Sequence, residues 1–145
     1  MIFLINFIFN IIAGLTMSVQ GVMNTRLGEK VGVLETNAFV QGTAFLISLI
    51  IALLFGKGSF MTIVKVPWYY LLGGVLGAVI TVTVMLGIGK ISPTVAISVI
   101  LISQLLTAAL IDNFGIMGTE KVSFTFPKYI GVGLMIAGVV VFKFF

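Results

Sequence analysis

The sequence contains no cysteine and no histidine. Disulfides, thiolate chemistry, imidazole bases and the usual zinc or haem ligands are removed together by that absence. Charge is scarce as well: 8% of the 145 residues are Asp, Glu, Lys or Arg, against roughly 25% in an ordinary soluble domain. The four carboxylates, Glu29, Glu35, Asp112 and Glu120, are scattered along the chain and form no recognisable catalytic group. The chain is therefore read as a non-enzyme with no cofactor. A net charge of +4 would suit nucleic acid, but the eight basic residues stand singly between apolar runs rather than in a patch. They read as membrane-flank anchors, with no nucleic-acid partner.

What is present in quantity is apolar: 60% of the residues. A compact domain of this size leaves much of its chain facing the solvent, so this excess of Leu, Ile, Val and Phe requires lipid as that solvent. Runs of about twenty apolar residues, marked off by charges and by Gly or Pro, predict an all-α membrane protein. It is a bundle of five transmembrane helices over residues 2–23, 32–55, 68–89, 92–111 and 129–145, forming one five-span domain over 1–145. No Lys or Arg precedes the first run, and that run continues past Gly14, so it is expected to be a retained helix rather than a signal peptide. It is expected to end at Asn24-Thr25-Arg26, leaving Glu29 and Lys30 in a short polar connection. Gly56-Lys57-Gly58 stops the second span. Pro67 opens the third at its favoured first-turn position, with Trp68, Tyr69 and Tyr70 at headgroup depth. The fifth is short, and Phe124 and Phe126 can lengthen it while Lys143 snorkels outward.

An odd number of spans puts the two termini on opposite sides, so the basic residues can be sorted by side. Lys57, Lys65, Lys121 and Lys128 share the side of the N-terminus; Arg26, Lys30, Lys90 and Lys143 lie opposite. Orientation follows Lys and Arg asymmetry in short loops, and a balance of four against four gives no clear preference. The expectation is dual topology, with copies inserted both ways pairing antiparallel about an in-plane pseudo-twofold. The alternative is that one or two residues nearer the headgroups still decide a single orientation.

Polar side chains inside the spans need partners or a water-filled cavity. Gln20 and Asn24 are four apart on the first helix, and Asn37 and Gln41 repeat that spacing on the second, so each pair shares a face. The short connection sets all four amides at similar depth, where they either line one cavity or bond one helix to the other. Gln104, with Ser103 and Thr107, lies nearer mid-membrane on the fourth helix and is the leading candidate for a central contact. Glu35, one turn into the second helix, is a candidate for proton coupling. The other reading is a headgroup-level acid paired with Arg26 or Lys30, or one favoured by the helix dipole. Asp112 either caps the turn after the fourth helix or gates an entrance. Gly73, Gly77 and Thr81 on the third helix, and Gly133 and Ala137 on the fifth, form small-residue stripes for helix packing.

These residues also carry a resemblance. Ser103-Gln104-Leu105-Leu106 followed by Ile111-Asp112-Asn113-Phe114-Gly115 resembles the signature of the YdcZ-like members of the drug/metabolite transporter superfamily. Gln20, Asn24, Leu27 and Gly28 match its first-helix pattern; Trp68, Leu72-Gly73-Gly74 and Gly77-Ala78 match its third. Ser103 stands where a Gly commonly precedes the Gln, and Asn113 where a His commonly follows the Asp. The resemblance implies a five-helix half-transporter in the cell membrane, the bacterial inner membrane, that moves a small metabolite or drug by alternating access. Its partner would be a second copy of itself, antiparallel, or a paralogue of opposite orientation. The four-helix multidrug exporters of the same superfamily carry an essential Glu in the middle of their first helix. The first span here has no carboxylate, and Gln20 and Asn24 suggest a more neutral binding site in its place. The other class kept open is a non-transporting subunit that assembles or stabilises a larger membrane complex.

Overall fold

The computed structural model describes residues 2–144, with side chains described over 3–144; the expected end of the last span at Phe145 lies outside them. Among the described residues there is no strand, and five helical segments are long and apolar enough to cross a membrane. That outcome follows from the solvent: in hydrocarbon the backbone N–H and C=O groups must pair within the segment, which a helix achieves and an open strand does not.

The first helix, α1, runs Ile2–Val31, and α2 runs Val33–Phe55. The polar connection expected over residues 24–31 is therefore helical. Asn24, Thr25 and Arg26 mark where the chain leaves the hydrocarbon, but none of them breaks a helix. Thr25 Oγ1 donates to the Gly21 carbonyl at 2.7 Å, and Arg26 pairs with Glu29 one turn on at 3.0 Å. The break comes at Gly32 alone, whose φ of 109° and ψ of 146° fall where only glycine is at ease. Thirty residues at 1.5 Å each give α1 a length of about 45 Å, against about 30 Å of hydrocarbon, so its last turns rise beyond the apolar layer. Glu29 thus belongs to the first helix after all, as an exposed carboxylate outside the span.

A short 3₁₀ helix, Phe60–Lys65, follows α2. After Pro67, residues Trp68–Leu72 form a second 3₁₀ turn that leads into α3, Gly73–Ile88. Proline therefore opens a tighter turn than expected, closed by Tyr70 N donating to the Pro67 carbonyl at 3.1 Å, and the α-helical ladder starts one turn later. Helix α4, Pro93–Phe114, is capped by the Ser92 hydroxyl, which accepts from Val95 N at 3.4 Å, and has Pro93 in its first turn. It outruns its expected end at residue 111 because Asp112 and Asn113 are tolerated in the last turn. The stop is Gly115, in the left-handed conformation at φ 63°. Helix α5, Phe126–Phe144, starts three residues before the expected 129, since Pro127 fits a first turn.

The chain divides into two compact units, Met1–Lys90 and Ile91–Phe145. In the first, α1 meets α3 where side chains are smallest. A Cβ on Gly21 would lie 3.1 Å from Ile88 Cδ1 and 3.2 Å from Val84 Cγ1, and one on Gly28 would lie 3.4 Å from Met85 Sδ. Gly21, Thr25 and Gly28 share a helix face by their spacing, and Met85 and Ile88 are buried against it. In the second unit α4 and α5 pack together and the connecting loop is tied back to α4. Val122 N donates to the Asp112 carbonyl at 2.8 Å, and Phe124 N to Asn113 Oδ1 at 3.2 Å.

Candidate functional site

The polar side chains of the first unit gather near the α1–α2 turn because Gly32 folds the two helices into a hairpin. Asn24 lies eight residues before Gly32, and Thr36, Asn37 and Gln41 lie four, five and nine after it. All four therefore stand within about 14 Å of the turn along their helices. Asn24 and Thr36 are buried, at 9% and 0% exposure, while Asn37 and Gln41 are half-buried. Gln20, one turn deeper on α1, is exposed. Three of the four expected amides thus enter the interior of the three-helix unit, and the fourth faces out of it.

Their hydrogen bonds differ in a way that bears on chemistry. Gln41 Nε2 donates to Thr81 Oγ1 across α2 and α3, at a long 3.4 Å, while Thr81 Oγ1 donates to the Gly77 carbonyl at 2.9 Å. Gly77 lies beside the amide, where a Cβ would make an ordinary contact at 3.6 Å from Gln41 Nε2. Asn37 Oδ1 and Thr36 Oγ1 are buried with no hydrogen-bond partner. Asn24 makes no side-chain hydrogen bond among the described residues. A buried polar atom left unpaired costs about 1–3 kcal/mol, so these oxygens mark a place where a water or a ligand group is needed.

Glu35 is exposed and folds back over the start of α2, where a Cβ on Gly32 would collide with its carboxylate. That places an acid on the first turn, at the positive end of the helix dipole. Arg26 is engaged by Glu29, through contacts of 3.0 and 3.1 Å from Nη1, rather than by Glu35. A cleft of about 240 Å³ opens beside this turn, with Thr25, Gly28 and Met85 on its walls and Glu29 and Lys90 among its lining.

In the second unit Gln104 is exposed on α4 and makes no side-chain hydrogen bond among the described residues. Its polar neighbours are spent on the backbone: Ser103 Oγ donates to the Val99 carbonyl at 2.9 Å, and Thr107 Oγ1 to the Ser103 carbonyl at 2.8 Å. The Asp112 side chain is exposed, while its main-chain carbonyl accepts from Gly115 N and Val122 N. A groove of about 320 Å³ lies between Leu106, Leu110 and Asn113 of α4 and Phe124 and Tyr129, whose rings meet edge to face at 4.5 Å. Of the small-residue positions, Gly77 lies beside Gln41, whereas Gly73 and Gly133 have no atom within 4 Å of a would-be Cβ and Ala137 is exposed.

Sequence reasoning missed Gly21, Thr25 and Gly28, the closest helix approach in the first unit, and also Thr36. The spacing of four and then three was a readable signal for the former. Thr36 had none, because a lone Thr in an apolar helix ordinarily bonds its own backbone.

Five helices long and apolar enough to cross a membrane, with amides in the interior of the first unit, define a multi-pass α-helical membrane protein. The family model described as "Putative inner membrane exporter, YdcZ" matches residues 5–141, and the chain belongs to this YdcZ-like branch of the drug/metabolite transporters, as a multi-pass inner membrane protein. Neither the curated proteins nor the solved structures give a significant match to the chain.

Proposed function

We propose that this chain is one half of a small exporter that moves a metabolite or drug across the inner membrane by alternating access, working as a pair of copies inserted in opposite orientations. The observation that carries the reading is the buried, unpaired Asn37 Oδ1, in the same three-helix unit as the buried Asn24. In an apolar bundle such groups are retained at a cost, and a passing ligand with hydrogen-bond donors offsets it transiently. Because the interior carries amides rather than carboxylates, the fitting substrate class is neutral or zwitterionic and rich in hydrogen bonds. Glu35, at the helix start and in contact with solvent, is the group available for proton coupling, and Gln104 is a further substrate contact offered by the second unit. Family membership as an inner membrane exporter supports the same reading.

The Gln41–Thr81 bond favours a second reading, in which the amides only join helices and the chain serves as a non-transporting subunit of a larger assembly. Reconstitution separates the two. Purified protein in liposomes is expected to show flux of, or thermal stabilisation by, at least one member of a broad panel of polar metabolites and drugs. Asn37→Ala and Gln104→Ala are each expected to lower that response about ten-fold or more, in line with one lost hydrogen bond to a bound ligand. Absence of any response across the panel favours the assembly subunit.

A further inference from the structure

The face of α1 that packs on α3 through Gly21, Thr25 and Gly28 continues toward the N-terminus as Asn6, Asn10, Gly14 and Ser18, each four residues from the next. No described residue of the Met1–Lys90 unit covers it there. Asn6 and Asn10 are exposed and make no side-chain hydrogen bond among the described residues, and a Cβ on Gly14 meets no atom within 4 Å. The helix around them is apolar: Phe3, Phe7, Ile8, Ile11 and Leu15 are all exposed. An amide on the surface of such a helix faces hydrocarbon, which offers it neither donor nor acceptor. The depth can be placed. Gly14 precedes Arg26 by twelve residues, about 18 Å of helix, close to the half-thickness of the hydrocarbon layer at about 15 Å. Gly14 thus sits near the midplane, with Asn10 one turn to one side and Ser18 one turn to the other.

From this geometry we infer that the Asn6–Asn10–Gly14–Ser18 face of α1 is the seam against a second, inverted copy of the same chain, with the two α1 helices crossing at Gly14. The inference rests on the paired-copy reading above and adds the surface that does the pairing. A twofold axis in the membrane plane through Gly14 carries each residue onto the one equally far on the other side, so Asn10 of one copy faces Ser18 of the other, twice. The chemistry is complementary. Ser18 Oγ donates its proton to the Gly14 carbonyl at 2.9 Å and keeps lone pairs to accept from the Asn10 amide N–H. Gly14, bare on both helices, permits the close approach that brings them into reach. Asn6, near the membrane edge, has headgroups and water within reach. The four-against-four balance of flanking Lys and Arg permits the inverted copy that the seam requires.

The absence of cysteine makes the test direct. Two differently tagged copies carrying Asn10→Cys and Ser18→Cys, coexpressed and oxidised in native membranes, are expected to form a mixed disulfide dimer. Gly14→Cys is expected to cross-link to itself and Asn10→Cys alone is not. Since Gly14 has open space around it, these changes leave the fold of a single copy intact. Asn10→Ala is expected to weaken pairing about three- to thirty-fold, the range of one interhelical hydrogen bond in a bilayer, with Asn10→Gln retaining it. Self-cross-linking of Asn10→Cys without the mixed product means a parallel pair and overturns the inference. Subunit counting in nanodiscs separates the remaining outcomes. Two copies per particle with no α1 cross-link overturns this seam while leaving the paired-copy reading intact. One copy per particle, with the face covered by lipid alone, overturns both.

Discussion

From Gly21 to Gly28, α1 is a packed helix whose small residues lie against Val84, Met85 and Ile88; from Phe3 to Met17 every residue of the same helix is exposed. Both stretches mix apolar side chains with glycine and amides, although only the packed one carries a charge, Arg26. What differs is the partner: α3 comes closest to α1 at Gly21, where an added Cβ would press on Ile88 and Val84. The packed stretch therefore reports how one copy holds itself together. The bare stretch reports what the first unit leaves open, Asn10 and Gly14 near mid-membrane depth and Asn6 nearer the membrane edge.

The comparison can be broken most sharply at the glycines. Gly21→Leu is expected to destabilise the chain by about 3 kcal/mol, because Ile88 and Val84 already stand at contact distance. Gly14→Leu, in detergent-dispersed single copies, is expected to change stability by less than about 0.5 kcal/mol. Unfolding by denaturant titration in micelles reads both, and equal effects would dissolve the distinction between the two stretches. Next in size is Gly32→Ala, expected to cost about 2 kcal/mol through its positive φ and the displaced Glu35 carboxylate. A loss much smaller than that would mean that the α1–α2 turn adopts another backbone. A double-mutant cycle on Gln41→Leu and Thr81→Val should give a coupling of about 0.6 kcal/mol, fitting one long interhelical bond in an apolar bundle. The smallest effect is expected at Thr36→Val, near zero or slightly stabilising, since its buried hydroxyl has no partner to lose. A clear loss of stability there would reveal a bound water inside the packed stretch.

Much of the fold was legible in the residues. Apolar runs bounded by charge marked all five helices, and Pro93 marked the start of α4, whereas its stop at Gly115 lies past the expected end at residue 111. The ends went wrong where polarity was taken for a helix stop. Asn24 to Lys30 leave the hydrocarbon but keep their backbone bonds, and only the conformation of Gly32 turns the chain. The amides were legible as a group at one depth, because spacing on two helices joined by a short turn fixes depth. Their exposure was not, since a face points inward only once a third helix chooses a side. Here α3 chose the side of Asn24 and left Gln20 outside.

Composition by itself determined that this chain lives in a bilayer, as helices, because hydrocarbon accepts only internally bonded backbone. Tertiary structure decided which polar atoms lack partners. Pairing depends on which helices come within reach, and in lipid that is set by glycines that allow approach rather than by hydrophobicity, which is the same on every face.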